Sequence, residues 1–327
     1  MRSVGSLNNA DGRANSPLVT ILLLSYNQEK FIAEAVRSVL AQDYANLEVI
    51  ISDDCSLDST YQIIKDVVNE YSGEKSISII RNEKNLGLTA HFNALLSRAR
   101  GEIIVIAAGD DVSLPHRVSQ TVAILQDDSC ALFVSFTDII VDENGKQIAQ
   151  PSKRKAPLLR KVTLSDFLAG EAPSMSGASR GFRRGLFDGF GALNEKCPTE
   201  DTPYILRGLM MGCGLVCGEA GILYRQHGES LSAPASIHLL KFEQIKAQYL
   251  QDLERGLAQK LISEDMAIRI RAWAERNYRR RMVYSKLHKS RAKLTEIVGN
   301  MLFSQDFSLR EKMGMLRRGL MRTEFDG

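Results

Sequence analysis

The sequence predicts an α/β fold, a mostly parallel sheet flanked by helices, followed by a C-terminal helical extension. Three observations lead there. From Pro17 to about Ile106, short runs rich in Val, Ile and Leu alternate with helical patterns, and such alternation builds βαβ units. The strand runs, such as Val49-Ile50-Ile51, are apolar throughout, as strands buried on both faces require. From Ile237 onward the periodicity is helical.

The elements follow in order. A strand over Leu18–Leu24 leads into a helix over Gln28–Ala41, whose Phe31, Ile32, Ala35, Val36, Val39 and Leu40 share one stripe. The next strand, Leu47–Ser52, leads into a helix over Ser59–Tyr71 with Ile63, Ile64, Val67 and Tyr71 on one stripe. Strands at Ile77–Arg81 and Glu102–Ala107 bracket a helix at Leu88–Ala99. Beyond Pro115 the strands lengthen, and Asn144-Gly145 between Phe133–Asp142 and Gln147–Ile148 reads as a hairpin turn. A short helix near Leu164–Ala169, a Ser/Gly-rich strand near Ser174–Phe182, a helix at Glu200–Met211 and a strand at Gly221–Arg225 complete the domain. The expected organisation is a flexible lead-in over 1–16, an α/β domain over 17–236 divided near 115, and a basic helical extension over 237–327.

Composition narrows the classes. At 44% hydrophobic the chain is globular. No run reaches the roughly 18 apolar residues of a spanning helix, and the lead-in has neither the basic start nor the apolar run of a signal peptide, so a soluble protein is expected. Five cysteines without a CxxC pair argue against a disulfide framework and a structural zinc site, and for a reducing cytoplasm. The net charge of +3 divides into +8 from Ile237 onward and −5 before it, so any basic partner-seeking surface is C-terminal. No nucleic-acid partner is expected, and a homo-oligomer is compatible with the sequence.

In open α/β sheets ligands bind beyond the carboxyl ends of the strands. There this chain has Ser25-Tyr26-Asn27, Asp53-Asp54 and Asp110-Asp111. Helix capping explains Ser59 or Asp58 after the first pair, and one Asp but not easily both of the second. Two together repel unless donors or a cation arrive, and adjacent carboxylates behind small Ala and Gly suit a hard cation shared with a diphosphate. A dinucleotide oxidoreductase would carry GxGxxG after the first strand, where Ser25-Tyr26-Asn27 stands instead. A nucleotidyltransferase would carry an early Gly-rich basic loop, which is also missing there. A non-catalytic sugar-nucleotide binder is the other alternative.

Several spaced motifs, in one order, then carry a resemblance. Val19-Thr20-Ile21-Leu22-Leu23-Leu24-Ser25-Tyr26-Asn27, Ser38-Val39-Leu40-Ala41-Gln42, Ile51-Ser52-Asp53-Asp54-Cys55-Ser56-Leu57-Asp58-Ser59-Thr60, Arg81 to Gly87, Asn93, Gly101-Glu102 and Asp110 to Arg117 closely resemble the family 2 inverting glycosyltransferases with the GT-A (Rossmann-like) fold. The likeness covers roughly residues 17–230.

It implies a nucleotide-binding half over 17–115, an acceptor half over 116–236, a nucleotide-diphosphate sugar donor and a Mg2+ or Mn2+ ion. A saccharide or lipid-linked hydroxyl acceptor, in cell-surface polysaccharide or glycolipid assembly, is implied with it. Carried over residue by residue, Asp54 contacts the base, Ser25 and Tyr26 lie in the loop beside it, and Arg81, Asn85 and Gly87 border the nucleotide. Asp110 takes the ribose and Asp111 the metal, an order the resemblance leaves exchangeable because Ala108 stands where many relatives have a further Asp. Asp201, in Cys197-Pro198-Thr199-Glu200-Asp201-Thr202-Pro203-Tyr204, matches the catalytic base, and His227, in Tyr224-Arg225-Gln226-His227, matches a late metal or diphosphate ligand. The other histidines, His91, His116, His238 and His288, read as structural. The membrane-embedded processive synthases are excluded by the missing spans and the missing Gln-x-x-Arg-Trp element.

In the extension, Ile262, Met266, Ile270 and Trp273 recur at helical spacing, as do Leu309, Met313, Leu316 and Leu320. Between them stand Arg276, Arg279, Arg280, Arg281, Lys286, Lys289, Arg291 and Lys293 without an acidic residue. Two readings stay open: helices packed on the catalytic domain, or a peripheral contact with the inner face of a membrane.

Overall fold

A computed structural model describes residues 16–148, 158–228, 240–289, 306–307 and 312–313. Nearly all of the lead-in, His238, the side chain of His288 and the second apolar stripe apart from Met313 lie outside the described residues.

The predicted βαβ units form as read. Strands β1 (Val19–Ser25), β2 (Leu47–Asp53), β3 (Ser76–Arg81) and β4 (Ile103–Ala108) pair in parallel in the order β3-β2-β1-β4. β1 and β2 are buried along their whole length, which is why neither shows a polar alternation. Helices α1 (Ile32–Leu40), α2 (Thr60–Asn69) and α3 (Leu88–Arg98) connect them. Ile32, Ala35, Val36 and Val39 of α1 pack with Ile21, Leu23 and Ile51 on one face of the sheet, while Phe92, Leu95 and Leu96 of α3 pack with Leu22, Ile50 and Ile104 on the other.

The second half continues the same sheet. After the two-residue strand β5 (Val112–Ser113) and helix α4 (Arg117–Asp127) come β6 (Ala131–Val141), β7 (Leu159–Val162), helix α5 (Leu164–Ala169), β8 (Arg180–Arg183), helices α6 (Gly185–Phe190) and α7 (Asp201–Met211), and β9 (Cys213–Arg225). The sheet order is completed as β4-β8-β6-β9-β5, with β7 on β9. The Asn144-Gly145 hairpin is present, with Gly145 at φ 79° and Ile148 donating to Ile140.

Four strands differ from expectation. The strand near Ser174–Phe182 is confined to Arg180–Arg183. The one placed at Gly221–Arg225 begins at Cys213, because the Gly-interrupted stretch 212–221 pairs along β6 through bulges that periodicity does not reveal. β5 and β7, too short to show a pattern, were not expected.

The extension forms α8 (Phe242–Ala258) and α9 (Glu264–Lys289). Its first apolar stripe turns inward: Ile270 is fully buried, Trp273 packs on Phe167 and Tyr249 with ring centroids 5.0 Å apart, and Ile262 and Met266 pack against the same core. The membrane reading therefore loses this stripe, since an apolar face already covered by protein is not available to lipid.

Candidate active site

The order β2-β1-β4 sets the loops after these strands side by side at one edge of the sheet. The first two are knitted by their own side chains. Asn27 at φ 50° and Cys55 at φ 62° occupy the left-handed region that non-glycine residues rarely adopt, a cost that clusters at functional loops. The Asn27 backbone N–H donates to Ser56 Oγ at 2.9 Å, and Asn27 Oδ1 accepts from the Leu57 N–H at 2.9 Å. Gln28 and Glu29 donate to Thr60 Oγ1 and Asp58 Oδ2 at 2.7 and 3.1 Å. Ser25 is buried and spends its hydroxyl on the Ser52 carbonyl at 3.0 Å, so it fixes the strands, whereas Tyr26 is 41% exposed. An open hollow of about 330 Å³ lies alongside, lined by Asn27 to Phe31, Leu57 and Asp58.

The Asp53-Asp54 pair is neutralised from within the chain. Asp53 accepts from the Ser56 hydroxyl and, at 3.0 Å, from the Ser56 N–H, and it faces Arg81 Nε at 3.3 Å. Asp54 accepts from Asn82 Nδ2 at 2.7 Å and from the N–H groups of Leu86 and Gly87 at 2.9 and 3.0 Å. Gly87, at φ 79°, also donates its N–H to Asn85 Oδ1 at 2.8 Å. Asp54, Asn85 and Gly87 thus form one unit that shapes the 82–87 loop, and Arg81 braces it by donating to the Ser56 carbonyl at 2.9 Å. The donors that two adjacent carboxylates demand are already present here without a ligand.

Asp110 and Asp111 meet different partners. Asp111 is buried and accepts the Arg225 N–H at 2.9 Å. Burial first, and Asp110 second, push its carboxyl up to about 8. Asp110 places Oδ2 3.0 Å from His227 Nε2. Arg225 locks this corner: Nε donates to the Asp110 carbonyl at 2.9 Å, Nη2 meets Glu34 at 2.5 Å, and its guanidinium stacks over Phe31, whose other neighbour is the His227 ring at 4.8 Å. Two ligands about 2.1 Å from an octahedral cation stand roughly 3.0 Å apart along an edge, so the Asp110–His227 separation fits a Mg2+ or Mn2+ ion. No group of three or more His, Cys, Asp and Glu able to hold a metal occurs among the described residues. A diphosphate and water would therefore have to supply the remaining ligands, as small hard cations accept.

Asp201 is the first residue of α7, with its side chain 45% exposed. It is reached through a buried layer that sequence reasoning did not single out. Arg117, fully buried, donates to the Ile106 and Ala178 carbonyls at 2.5 and 2.7 Å, and its charge lies between Asp111 and Asp138. Asp138, raised by burial, feels both Arg117 and Asp201. Arg180, fully buried as well, donates to the Asp201 carbonyl at 3.0 Å and lies 4.0 Å from its Oδ1. Gly177 leaves the space that Asp201 occupies: a Cβ there would stand 1.4 Å from Oδ1. The one available signal was Arg117, which closes the Asp110 to Arg117 motif; Gly177 and Arg180 lie in a Ser/Gly-rich stretch that reads as a plain strand.

His91 bonds Ser52 Oγ at 2.7 Å in the core, and His116 bonds the Ala220 carbonyl at 3.1 Å. These bonds hold both rings within the fold. All five cysteines are free.

A mixed α/β sheet with acidic residues beyond its parallel strands and a helix-borne carboxylate on the far side defines the GT-A class, and known proteins agree. The sequence profile of glycosyl transferase family 2 matches residues 20–191, over half of the chain, and the chain belongs to that family. The putative glycosyltransferase EpsE of Bacillus subtilis is 35% identical over 151 residues, 46% of this chain; the chain spans only 54% of that relative's length. The succinoglycan biosynthesis protein ExoO of Rhizobium meliloti is 26% identical over 75% of this chain and 72% of its own.

Among solved structures, S. aureus TarS 1-349 in complex with UDP-GlcNAc superposes with a TM-score of 0.63 at 19% identity, covering 86% of this chain and 78% of that one. The mannosyltransferase PcManGT from Pyrobaculum calidifontis, in complex with GDP-Man and Mn2+, gives 0.58 at 17% identity, covering 93% and 80%. At such identities the shared property is the fold.

Proposed function

We propose that this protein transfers a glycosyl group from a nucleotide-diphosphate sugar to a hydroxyl acceptor, with inversion and with a divalent cation. The observation that carries the reading is the acidic corner after β4, where Asp110 Oδ2 stands 3.0 Å from His227 Nε2, together with Asp201 at the head of α7, braced by buried Arg180. Asp110 and His227 would hold the cation, exchanging the sequence-based roles of Asp110 and Asp111. When bound there, Mg2+ or Mn2+ supplies positive charge against the diphosphate leaving group. Tyr26 and the loop that Asp54 organises border the nucleotide. Asp201 removes the proton from the attacking hydroxyl, and a single in-line displacement inverts the anomeric carbon.

The nucleotide-sugar complexes of TarS and PcManGT support the donor class. The name of ExoO supports an acceptor in polysaccharide assembly, saccharide or lipid-linked. A cytoplasmic enzyme resting on the inner membrane face through the basic run of α9 belongs to the same reading. No helix among the described residues is long and apolar enough to cross a membrane.

Thermal melting with UDP-GlcNAc, GDP-mannose and a wider nucleotide-sugar panel, with Mn2+ or with chelator, tests this. At least one donor is expected to raise the melting temperature only with the cation, and Asp110→Ala to abolish the shift. Asp201→Asn should keep the shift while transfer falls by about a hundredfold. Stabilisation undiminished in chelator overturns the cation role, and loss of donor binding in Asp201→Asn moves that residue into the donor site.

A further inference from the structure

The Asp201 carboxylate has a neighbour that the transfer reaction does not use. Glu200, immediately before α7, is buried, and its Oε2 finds no hydrogen-bond donor; nor does Asp201 Oδ1. The two residues are consecutive in the chain, and each presents a buried carboxyl oxygen without a donor. Carboxylates only accept, so two of them in contact satisfy each other only if one holds a proton.

The charged surroundings point the same way. The groups facing the pair are Arg180 from β8, Asp138 from β6, Cys197 from the preceding loop, Tyr204 from α7 itself, Tyr249 from α8 and, from α9, Arg281, which donates to Thr202 Oγ1 at 3.5 Å. Of the cations nearby, Arg207 is paired with Asp252 and Arg281 is partly exposed, which leaves Arg180, fully buried and 4.0 Å from Asp201 Oδ1, as the buried cation against the pair. Arg117 on the other side already lies between Asp111 and Asp138. One buried guanidinium against two carboxyl groups is neutral when one proton stays. That proton belongs on Glu200, the more deeply buried member, because burial penalises the charged form; burial and Asp201 together push Glu200 up to about 8.

We propose that Glu200 is a positioning residue that keeps its proton and donates it as a hydrogen bond to Asp201, holding the candidate base ionised and aimed at the acceptor. The role of the hydrogen bond rests on Asp201 being the base; the ionisation of Glu200 does not.

Carbon-13 carboxyl NMR of the full-length chain labelled at glutamate and aspartate carboxyl carbons tests it without donor or acceptor. One glutamate signal is expected at the protonated position at neutral pH, moving to the carboxylate position only around pH 8, and missing from Glu200→Gln. Gln retains an N–H donor, so the Asp201 signal, assigned by its loss in Asp201→Asn, should be nearly unmoved in Glu200→Gln and displaced in Glu200→Ala. If Glu200 titrates with the surface glutamates, or if the proton is found on Asp201, the proposal falls. An equal displacement in the Gln and Ala variants removes the hydrogen-bond role. Should Glu200→Ala fail to fold, the wild-type and Gln spectra still decide where the proton resides. A failure of Asp201→Asn to lower transfer would overturn the assignment of the base while leaving this ionisation result intact.

Discussion

Gly177 and Asp201 are 24 positions apart in the chain and share one space. A Cβ at 177 would stand 1.4 Å from Asp201 Oδ1, so Gly177→Ala must displace the carboxylate. Transfer is expected to fall by about a hundredfold, the usual contribution of a positioned base, with donor-induced stabilisation unchanged; steady-state rates beside melting curves check this. Glu200 yields a prediction in pH. Its folded carboxyl is raised to about 8 from an ordinary 4.5, so the folded state holds a proton that the unfolded state has lost. This contribution is fully present below the unfolded value and is lost as pH rises toward 8. Glu200→Gln removes this share of the slope while that of Asp111 stays, so melting temperatures measured from pH 5 to 9 should fall less steeply than in the wild type.

Helix α7 carries Asp201 at its head and is fastened along its length by the extension. Arg207 meets Asp252 of α8 through two bonds of 2.8 and 2.9 Å with both side chains fully buried, and Arg207 also donates to the Gly191 carbonyl at 2.7 Å. Gln248 joins the cluster, donating to Asp252 at 2.9 Å and accepting from the Asn194 N–H at 2.7 Å. Asp252→Ala leaves a buried arginine without its partner, and the expected loss is about 3–5 kcal/mol, read as a lowered denaturation midpoint. Replacing the pair by apolar residues of similar volume would cost far less, since a buried ion pair offsets its own desolvation only approximately.

At the scale of the whole molecule the extension is part of the hydrophobic core. Phe242, Ile245, Tyr249, Leu253, Ile270 and Trp273 pack in one cluster with Leu22, Phe92 and Ile104 of the parallel half. Truncation after residue 240 is therefore expected to abolish cooperative unfolding, as measured by calorimetry. For the same reason a truncation near residue 260 does not test membrane attachment, since it removes core as well as charge. Charge reversal at Arg276, exposed on α9, is the cleaner variant. If that surface contacts anionic lipid, reversal should weaken vesicle sedimentation by more than the roughly 1 kcal/mol of one basic residue, and added salt should weaken it further.

The parallel half was legible because its signals are local. Strand, helix and loop each carry their own periodicity, and β1 through β4 fall within a residue or two of where composition puts them. The acidic pairs were legible too, since their strand-end position follows from the strands themselves. The sequence alone thus determined the fold class, the family resemblance and the acidic edge of the sheet.

Only the tertiary structure decided what those residues face: that Asp54 is occupied by the 82–87 loop, that Asp110 and not Asp111 meets His227, that Gly177 makes room for Asp201, and that the Ile262 to Trp273 stripe covers the core. The reason is physical. Amphipathic spacing states that a face will be buried but not against what, and a carboxylate's partner is set by contacts between residues up to 191 positions apart, to which local periodicity is blind.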